Sequence, residues 1–341
     1  MHEEPRQCTV HMCSAVHGSR PALARQHDPD HGGDVEPDRL VLRRLAVAEG
    51  WTDDELTRHV RDGALTRLRR GAYVAGTDLL TDEARHHLLV RATLAALRRP
   101  AVVSHQSAAV LHGLPLWGVR LDRVHVTRRP PASSEAGRCL RTHVARLADH
   151  EVTTVDGLLV TDPVRTALDL ARSLPLEPAV AALDAALHGG LLAKPVLESR
   201  VQELAGTRGS RAATRAVTFA DGRSESVGES RSRVLLHRLG LAPSALQRTI
   251  HSASGLFLGR ADFAWEDERV VGEFDGRVKY GRGRRPGQDP ADVVFEEKRR
   301  EDAIRDEDWG VVRWTWSDLV PGTVVGDRVS RALVRGRRRS G

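Results

Sequence analysis

Two strand-like segments near the C-terminus carry acidic side chains where a hairpin would bring them face to face. The segments span 256–265 and 269–275 and are joined by Asp267-Glu268. If these two residues form the turn, Asp262 lies directly opposite Glu273, with side chains about 5 Å apart. The two-residue period of a strand also places Asp275 on the face of Glu273. Three carboxylates are therefore predicted to converge on one patch of a small sheet.

Such a patch repels itself unless a cation neutralises it. Mg²⁺ is a hard ion that prefers carboxylate oxygens, so Asp262, Glu273 and Asp275 are predicted metal ligands, with Mn²⁺ as the alternative ion. Two other interpretations remain open. The turn could slip by one residue, which would separate the acids, or the acids could be solvent-facing residues that pair with arginines such as Arg260 and Arg269.

The surrounding pattern predicts a helix, three strands, a helix and a strand. The predicted bounds are 228–240, 246–250, 256–265, 269–275, 290–306 and 310–315, with a loop rich in Gly, Arg and Pro at 276–288. Lys279 follows the acidic strand, and Lys298 lies on the charged helix. Either lysine could orient an attacking water or stabilise negative charge on a phosphate.

This arrangement resembles the PD-(D/E)XK nuclease superfamily, and most of all its small branch akin to the very-short-patch repair endonucleases. The resemblance covers about residues 225–320 and rests on Gly259-Arg-Ala-Asp262-Phe-Ala-Trp265, Val271-Gly-Glu273-Phe-Asp275-Gly276, Glu297-Lys298-Arg299 and Val311-Val-Arg313-Trp314. It implies that Asp262 and Glu273 are the two metal-binding acids and that Glu229 is the acid of the first helix. Asp275 stands where the family has its lysine, so catalysis would need Lys279 or Lys298 as a substitute.

A second pattern lies near the front of the chain. Residues 40–50 predict a short helix, and Thr52-Asp-Asp-Glu55 is a capping box that opens a second helix. A basic hairpin around Arg-Arg-Gly71 follows. Helix, helix and hairpin is the order of a small winged helix, although a helical bundle without DNA contact is an alternative. The predicted phosphate-contacting residues are Arg58, Arg61, Arg67, Arg69 and Arg70.

The middle of the chain predicts helices at 82–98, 104–112, 162–173, 177–188 and 194–205, and strands at 122–127, 138–145 and 151–161. It contains His105, His112, Asp162, Arg165 and Asp169. Their spacing matches no metal or nucleophile motif, so we interpret them as capping and packing residues.

Residues 38–76 resemble the winged helix of the AbiEi-type abortive-infection antitoxins. The segments Ser104-His-Gln-Ser-Ala-Ala-Val-Leu-His-Gly-Leu-Pro115 and Thr161-Asp-Pro-Val-Arg165-Thr-Ala-Leu-Asp169 resemble the domain that follows it there. This resemblance implies promoter binding or neutralisation of a partner toxin, and it brings no catalytic residues.

The expected fold class is a multidomain α+β and α/β chain. We predict a disordered tail (1–36), a winged helix (37–78), an α+β middle domain (79–205), a linker (206–227), a restriction-endonuclease-like αβββαβ domain (228–325) and a basic tail (326–341). No apolar run is long enough to span a bilayer. Three cysteines, Cys8, Cys13 and Cys139, form no disulfide framework, which fits the reducing cytoplasm. Cys8, His11, Cys13 and His17 match no standard zinc module.

Two functions follow as hypotheses. The first is a Mg²⁺-dependent DNA endonuclease that its winged helix directs to double-stranded DNA. The alternative is a non-catalytic DNA-binding regulator or type IV antitoxin-like protein with an inactive nuclease fold, whose further partner is a cognate toxin or defence-system protein. The net charge of +6 fits either of them. A third hypothesis, a structural protein without nucleic-acid contact, agrees poorly with the basic hairpin and the acidic patch.

Overall fold

The computed structural model describes residues 39–76, 80–276 and 290–340. The predicted tail at 1–36 and Lys279 lie outside these residues. The first described region is a small sheet with two helices. Its elements are β1 (Leu40–Leu42), α1 (Arg43–Ala48), α2 (Asp53–Arg61), β2 (Leu65–Arg69) and β3 (Ala72–Ala75), with strand order β1-β3-β2.

The capping box is confirmed, because Thr52 Oγ1 accepts from the Glu55 amide at 3.2 Å and Thr52 N donates to Glu55 Oε2 at 2.8 Å. The predicted hairpin is also present as β2 and β3. The helix predicted to begin at Leu40 was wrong at its start. Leu40–Leu42 is a strand, because it pairs with β3, the second strand of the hairpin, through Leu40↔Val74.

The middle region combines a six-stranded sheet with six helices. Its helices are α3 (Asp82–Leu94), α4 (His105–Leu111), α5 (Pro163–Ser173), α6 (Leu176–His188), α7 (Lys194–Gln202) and α8 (Ser210–Phe219). Its strands are β4 (Val102–Val103), β5 (Val124–Arg128), β6 (Glu135–Ala136), β7 (Leu140–Val144), β8 (Val152–Val155) and β9 (Leu158–Thr161), in the order β6-β7-β5-β4-β9-β8. Asp162 caps α5 as predicted, because its Oδ1 accepts from the Arg165 amide at 2.9 Å.

The predicted linker at 206–227 was wrong over much of its length. Helix α8 occupies this stretch, and Ala213, Ala216 and Val217 bury one face of it in the aliphatic core of α5, α6 and α7. These residues recur at the three- and four-residue spacing of a helix that packs on one side. The middle region therefore continues to about residue 220.

The C-terminal region has the predicted order followed by one further helix. Its elements are α9 (Val227–Arg238), β10 (Ala245–His251), β11 (Phe257–Trp265), β12 (Val270–Asp275), α10 (Pro290–Asp306), β13 (Gly310–Thr315) and α11 (Thr323–Ser340). The sheet has the order β10-β11-β12-β13, and β12 and β13 are parallel. Helices α9 and α11 cover one face, where Phe263 stacks on Trp314 at 5.3 Å between ring centroids. Ile304 of α10 packs on the other face.

The basic tail predicted at 326–341 was wrong as well, since α11 spans most of it. Val325, Val329 and Leu333 recur every four residues and lie buried against the sheet. The arginines of this helix therefore occupy its outer side, and the apolar stripe fixes the helix in place.

Two buried ion pairs connect the middle and C-terminal regions through α6 and α9. Arg231 Nε lies 2.7 Å from Glu177 Oε1, and Arg233 NH1 lies 2.7 Å from Asp184 Oδ2. The Arg231 guanidinium also lies over the Trp117 ring, 3.5 Å from its centroid. These contacts desolvate both arginines and hold α9 in one position.

Candidate functional site

The basic residues predicted to contact phosphate lie on α2 and on the β2–β3 hairpin. Arg58, Arg61, Arg67 and Arg70 are exposed, and Arg69 is half-buried. Buried Leu56 fixes the inner face of α2, so its basic residues point outward. Four arginines, Arg43, Arg44, Arg69 and Arg70, line one surface cleft. Such a surface can donate hydrogen bonds to a phosphate backbone.

In the C-terminal sheet, the register between β11 and β12 agrees with the sequence prediction. Trp265 pairs with Val270, and Phe263 pairs with Gly272. Asp262 and Glu273 are the next residues beyond this last pair on their two strands. Asp262 Oδ2 accepts a hydrogen bond from the backbone N–H of Phe274 at 2.8 Å, so this carboxylate is directed at β12.

Asp262 has a strongly altered acidity. Its pKa is raised to about 7, mainly by burial and further by the nearby carboxylates of Glu229, Glu273 and Glu225, while the hydrogen bond from the Phe274 N–H acts in the opposite direction. A carboxylate in this position gains from a proton or a cation, because its surroundings supply little positive charge. A strongly shifted acid among other acids is typical of a functional site.

Glu229 is held above the same part of the sheet. Gly228 lets α9 approach β12 closely, since a Cβ at this position would lie 1.9 Å from the Phe274 ring. Glu229 accepts from Ser226 Oγ at 2.7 Å and from Gln247 Nε2 at 2.8 Å. The other Gln247 amide atom, Oε1, is buried and has no hydrogen-bond partner among the described residues. It is a further oxygen next to the acids.

Glu273 has a different environment from Asp262. Its carboxylate forms ion pairs with Arg313 NH2 at 2.9 Å and Arg300 NH2 at 3.6 Å. The interpretation of the acids as arginine-paired strand residues therefore applies to Glu273. The arginines are not those named from the sequence, because Arg260 pairs with Glu225 and Arg269 donates to the Glu307 carbonyl.

The other predicted members of the acidic site are less well defined. Asp275 is half-buried at the end of β12, and Lys298 is exposed on α10. Within the described ranges, no three carboxylates each bring an oxygen within 4.8 Å of the others. The donor chemistry at Asp262, Glu273, Glu229 and Gln247 suits a hard cation, but the spacing in this structure is that of separate side chains rather than a closed ligand set.

The sequence analysis missed a cluster of three histidines in the middle region. His105, His125 and His143 each bring one ligand atom within 4.8 Å of the others. They come from α4, β5 and β7, far apart in sequence, so no linear spacing reveals them. The signal lies in strand pairing, because Thr127 of β5 pairs with His143 and His125 lies two residues before Thr127 on the same face. The interpretation of His105 as only a capping or packing residue was therefore incomplete.

The middle region matches a known protein family. Residues 101–220 match the AbiEi antitoxin C-terminal domain. The match covers the segments around Ser104 and Thr161 that carried the sequence resemblance. It ends at residue 220, directly after α8. It therefore confirms that resemblance for the AbiEi-like region, residues 101–220, which is roughly a third of the chain.

Two curated proteins are also similar to this chain. The uncharacterized proteins MT2308 and Rv2248 of Mycobacterium tuberculosis are each 36% identical over 185 residues, which cover 54% of this chain. The chain spans 65% of the length of these curated relatives. The crystal structure of the RV2827C protein from the same organism aligns with 15% identity and a TM-score of 0.34, covering 64% of this chain and 85% of that one.

None of the described helices combines the length and apolar character that crossing a bilayer requires.

Proposed function

We propose that this chain is a DNA-binding regulator of the antitoxin type, as in the alternative drawn from the sequence. The observation that carries the proposal is the order of two regions along the chain. An exposed basic helix and hairpin come first, and the AbiEi-like region at residues 101–220 follows them. The first region has the winged-helix order, with α2 as the recognition helix and the β2–β3 hairpin as the wing. The proposed ligand is double-stranded DNA, and the proposed second partner is a cognate toxin.

Charge accounts for how the first region would bind DNA. Arg58 and Arg61 lie on one exposed side of α2, and Arg67 and Arg70 lie exposed on the hairpin. Guanidinium groups on both elements would contact phosphates on either side of a groove, and each contact releases condensed counterions. Binding is therefore expected to weaken steeply as salt rises.

The test is binding of the full chain to duplex DNA from upstream of its own gene, measured by fluorescence anisotropy across a salt series. The double substitution Arg58→Gln and Arg61→Gln should weaken binding at least tenfold and reduce the salt slope by about 2, or about 1 for each lost phosphate contact. A matched control is Arg211→Gln with Arg215→Gln, which removes the same charge from exposed positions of α8. Equal loss in both double variants, or no binding at low salt, would contradict the proposal.

The toxin partner is tested separately in the host cell. Depletion of this chain should arrest growth, and plasmid-encoded chain should restore it. The Arg58→Gln, Arg61→Gln variant should still restore growth if neutralisation depends on the AbiEi-like region alone. Unimpaired growth after depletion would exclude the chain as the antitoxin of an active toxin.

A second candidate, a metal-dependent endonuclease, is favoured by the environment of Asp262. Its raised pKa near Glu229 and Glu273 marks a place where a cation would be stabilised. Asp262 and Glu273 would hold Mg²⁺ or Mn²⁺. The bound ion would activate a water molecule and coordinate the scissile phosphate. Within the chain, the Phe274 N–H orients Asp262, while Gln247 and Ser226 orient Glu229.

This candidate has a test that does not depend on activity. At pH 8 and low salt, MgCl₂ should raise the unfolding temperature of the wild-type chain by a few degrees, since it binds only the folded state. The Asp262→Asn variant should show no such rise, and it should also lose any plasmid nicking that the wild type shows. An unchanged unfolding temperature at millimolar MgCl₂ would remove the endonuclease candidate and leave the regulator proposal intact.

A further inference from the structure

The histidine cluster of the AbiEi-like region lies on one face of the middle sheet, under the start of α4. His143 Nε2 lies 3.1 Å from His125 Nδ1, and the His105 ring stacks on the His143 ring with 3.7 Å between centroids. His105 is buried, whereas His125 and His143 are half-buried. The cluster is therefore enclosed on the α4 side and open to solvent on the other.

We propose that His105, His125 and His143 form a binding site for a transition-metal ion of the Zn²⁺ type. Imidazole nitrogens suit Zn²⁺, Co²⁺, Ni²⁺ and Cu²⁺. Two nitrogens bound to one tetrahedral Zn²⁺ lie about 3.3 Å apart, given Zn–N bonds of about 2.0 Å. The three donor atoms lie within 4.8 Å of one another, and the His105 ring, which stacks on the His143 ring, would have to turn out of the stack so that its nitrogen points at a shared ion.

The side chains of Ser104 and Asp169 lie next to the His105 ring and orient it. His105 Nδ1 lies 3.1 Å from Ser104 Oγ and 3.8 Å from Asp169 Oδ2. Ser104 Oγ itself accepts from Thr127 Oγ1 at 2.8 Å, which ties it to β5. A carboxylate and a hydroxyl behind a ligating histidine are the partners that fix the ring orientation in metal sites.

The backbone at His105 supports the same inference. Its φ is 53°, a left-handed conformation that is strained for a residue other than glycine. Thr127 Oγ1 donates to Ser104 Oγ and the His125 amide donates to Ser107 Oγ, each at 2.8 Å, and these two bonds anchor the start of α4 to β5. These hydrogen bonds therefore hold the strained backbone of His105, and with it the His105 ring, over the two strand histidines.

A three-histidine set leaves a coordination position for water or a ligand, as in zinc sites that carry out chemistry. His125 also lines a surface cleft together with Gln106 and Arg123. His125 is therefore the member of the cluster that a small anion or a water molecule can reach from this cleft.

The experiment uses the full chain, stripped with a chelator and then dialysed against ZnCl₂. Bound zinc is measured by elemental analysis, and affinity by competition with a chromogenic chelator. His125→Gln and His143→Gln should each lose one zinc equivalent and weaken affinity at least 100-fold. Ser104→Ala, which removes a group behind His105, should weaken it about tenfold. Equal zinc content in the wild type and both glutamine variants would overturn the proposal.

Two controls identify the source of bound zinc. His87→Gln removes a half-buried histidine of the same region that lies outside the cluster, and it should bind zinc like the wild type. The double variant Cys8→Ser, Cys13→Ser should also keep the zinc equivalent; loss of zinc in it would assign the metal to the N-terminal segment and refute the proposal.

A wild-type measurement keeps the proposal testable if the glutamine variants fail to fold. Loading with CoCl₂ should give the visible bands of a tetrahedral, nitrogen-ligated ion without the near-ultraviolet band of a cobalt–thiolate bond. An octahedral spectrum or a thiolate band would contradict a three-histidine site.

Discussion

Asp169 of the AbiEi-like region is a buried acid and Asp262 of the C-terminal sheet is a half-buried one, and the two have opposite electrostatic surroundings. Burial raises the pKa of both. Asp169 is compensated, because Arg165 Nε lies 3.0 Å and Arg172 NH1 lies 3.9 Å from its carboxylate. Asp262 accepts one backbone N–H, and the charged groups that act on its pKa are the carboxylates of Glu229, Glu273 and Glu225.

The presence or absence of a nearby arginine distinguishes a buried acid that only stabilises the fold from one that is available for binding. A buried acid with arginines at hand is a fixed part of the core, and it costs stability mainly when its partner is removed. A buried acid among other acids has its charge unmatched until a proton or cation arrives.

The largest expected effect tests the compensated acid. Arg165→Met should lower the free energy of unfolding by about 3–5 kcal/mol, because it leaves Asp169 buried without its nearest cation. Urea unfolding followed by circular dichroism measures the change. The matched control, Arg172→Met, removes the more distant guanidinium and should cost about 1 kcal/mol or less. A similar loss in both variants would show that Arg165 is not the dominant partner.

The next effect concerns Asp262 and depends on pH. Its pKa of about 7 in the folded chain lies above the ordinary value of an aspartate, so the stability it contributes is present at low pH and is lost as pH rises through 7. Asp262→Asn should therefore gain about 2 kcal/mol relative to the wild type between pH 4 and pH 8, after allowance for partial exposure. Unfolding in chelator-containing buffers at several pH values measures this gain.

The control for that series is Asp267→Asn, on the exposed turn between β11 and β12. It should follow the wild-type pH profile throughout. A flat difference between Asp262→Asn and the wild type would mean that Asp262 titrates normally, and the contrast with Asp169 would then disappear.

The smallest effect concerns Glu273, which the arginines neutralise. Glu273→Gln should cost about 1 kcal/mol through weaker contacts with Arg313 and Arg300, and the cost should stay constant between pH 5 and pH 8. The same unfolding series measures it. A cost that shrinks, or turns into a gain, as pH rises would place Glu273 with Asp262 rather than with the compensated acids.

The sequence predicted the features that local chemistry determines. The capping box at Thr52 and Glu55, the helix start at Asp162-Pro163 and the register of Asp262 against Glu273 all follow from patterns within a few residues. Alternating strands and a tight turn leave few other pairings, so the acidic positions of the C-terminal sheet could be placed without coordinates.

Features that depend on distant partners were missed. Leu40–Leu42 became a strand because β3 was available to pair with it. Helices α8 and α11 were hidden by their Gly, Ser, Thr and Arg content, although Ala213 and Ala216, like Val325 and Val329, have helical spacing. The histidine cluster needs the β5–β7 pairing and the unusual backbone of His105, neither of which the linear order contains.

The paired arginines of α9 have a consequence for how such proteins can be recombined in evolution. Arg231 and Arg233 place their charges against Glu177 and Asp184 of α6, inside the AbiEi-like region. A gene fusion that joins this C-terminal region to another antitoxin-type domain would bury two unmatched guanidinium groups unless that domain carried acids at the equivalent positions. The two regions are therefore expected to be inherited together, and to move between genes only as a unit.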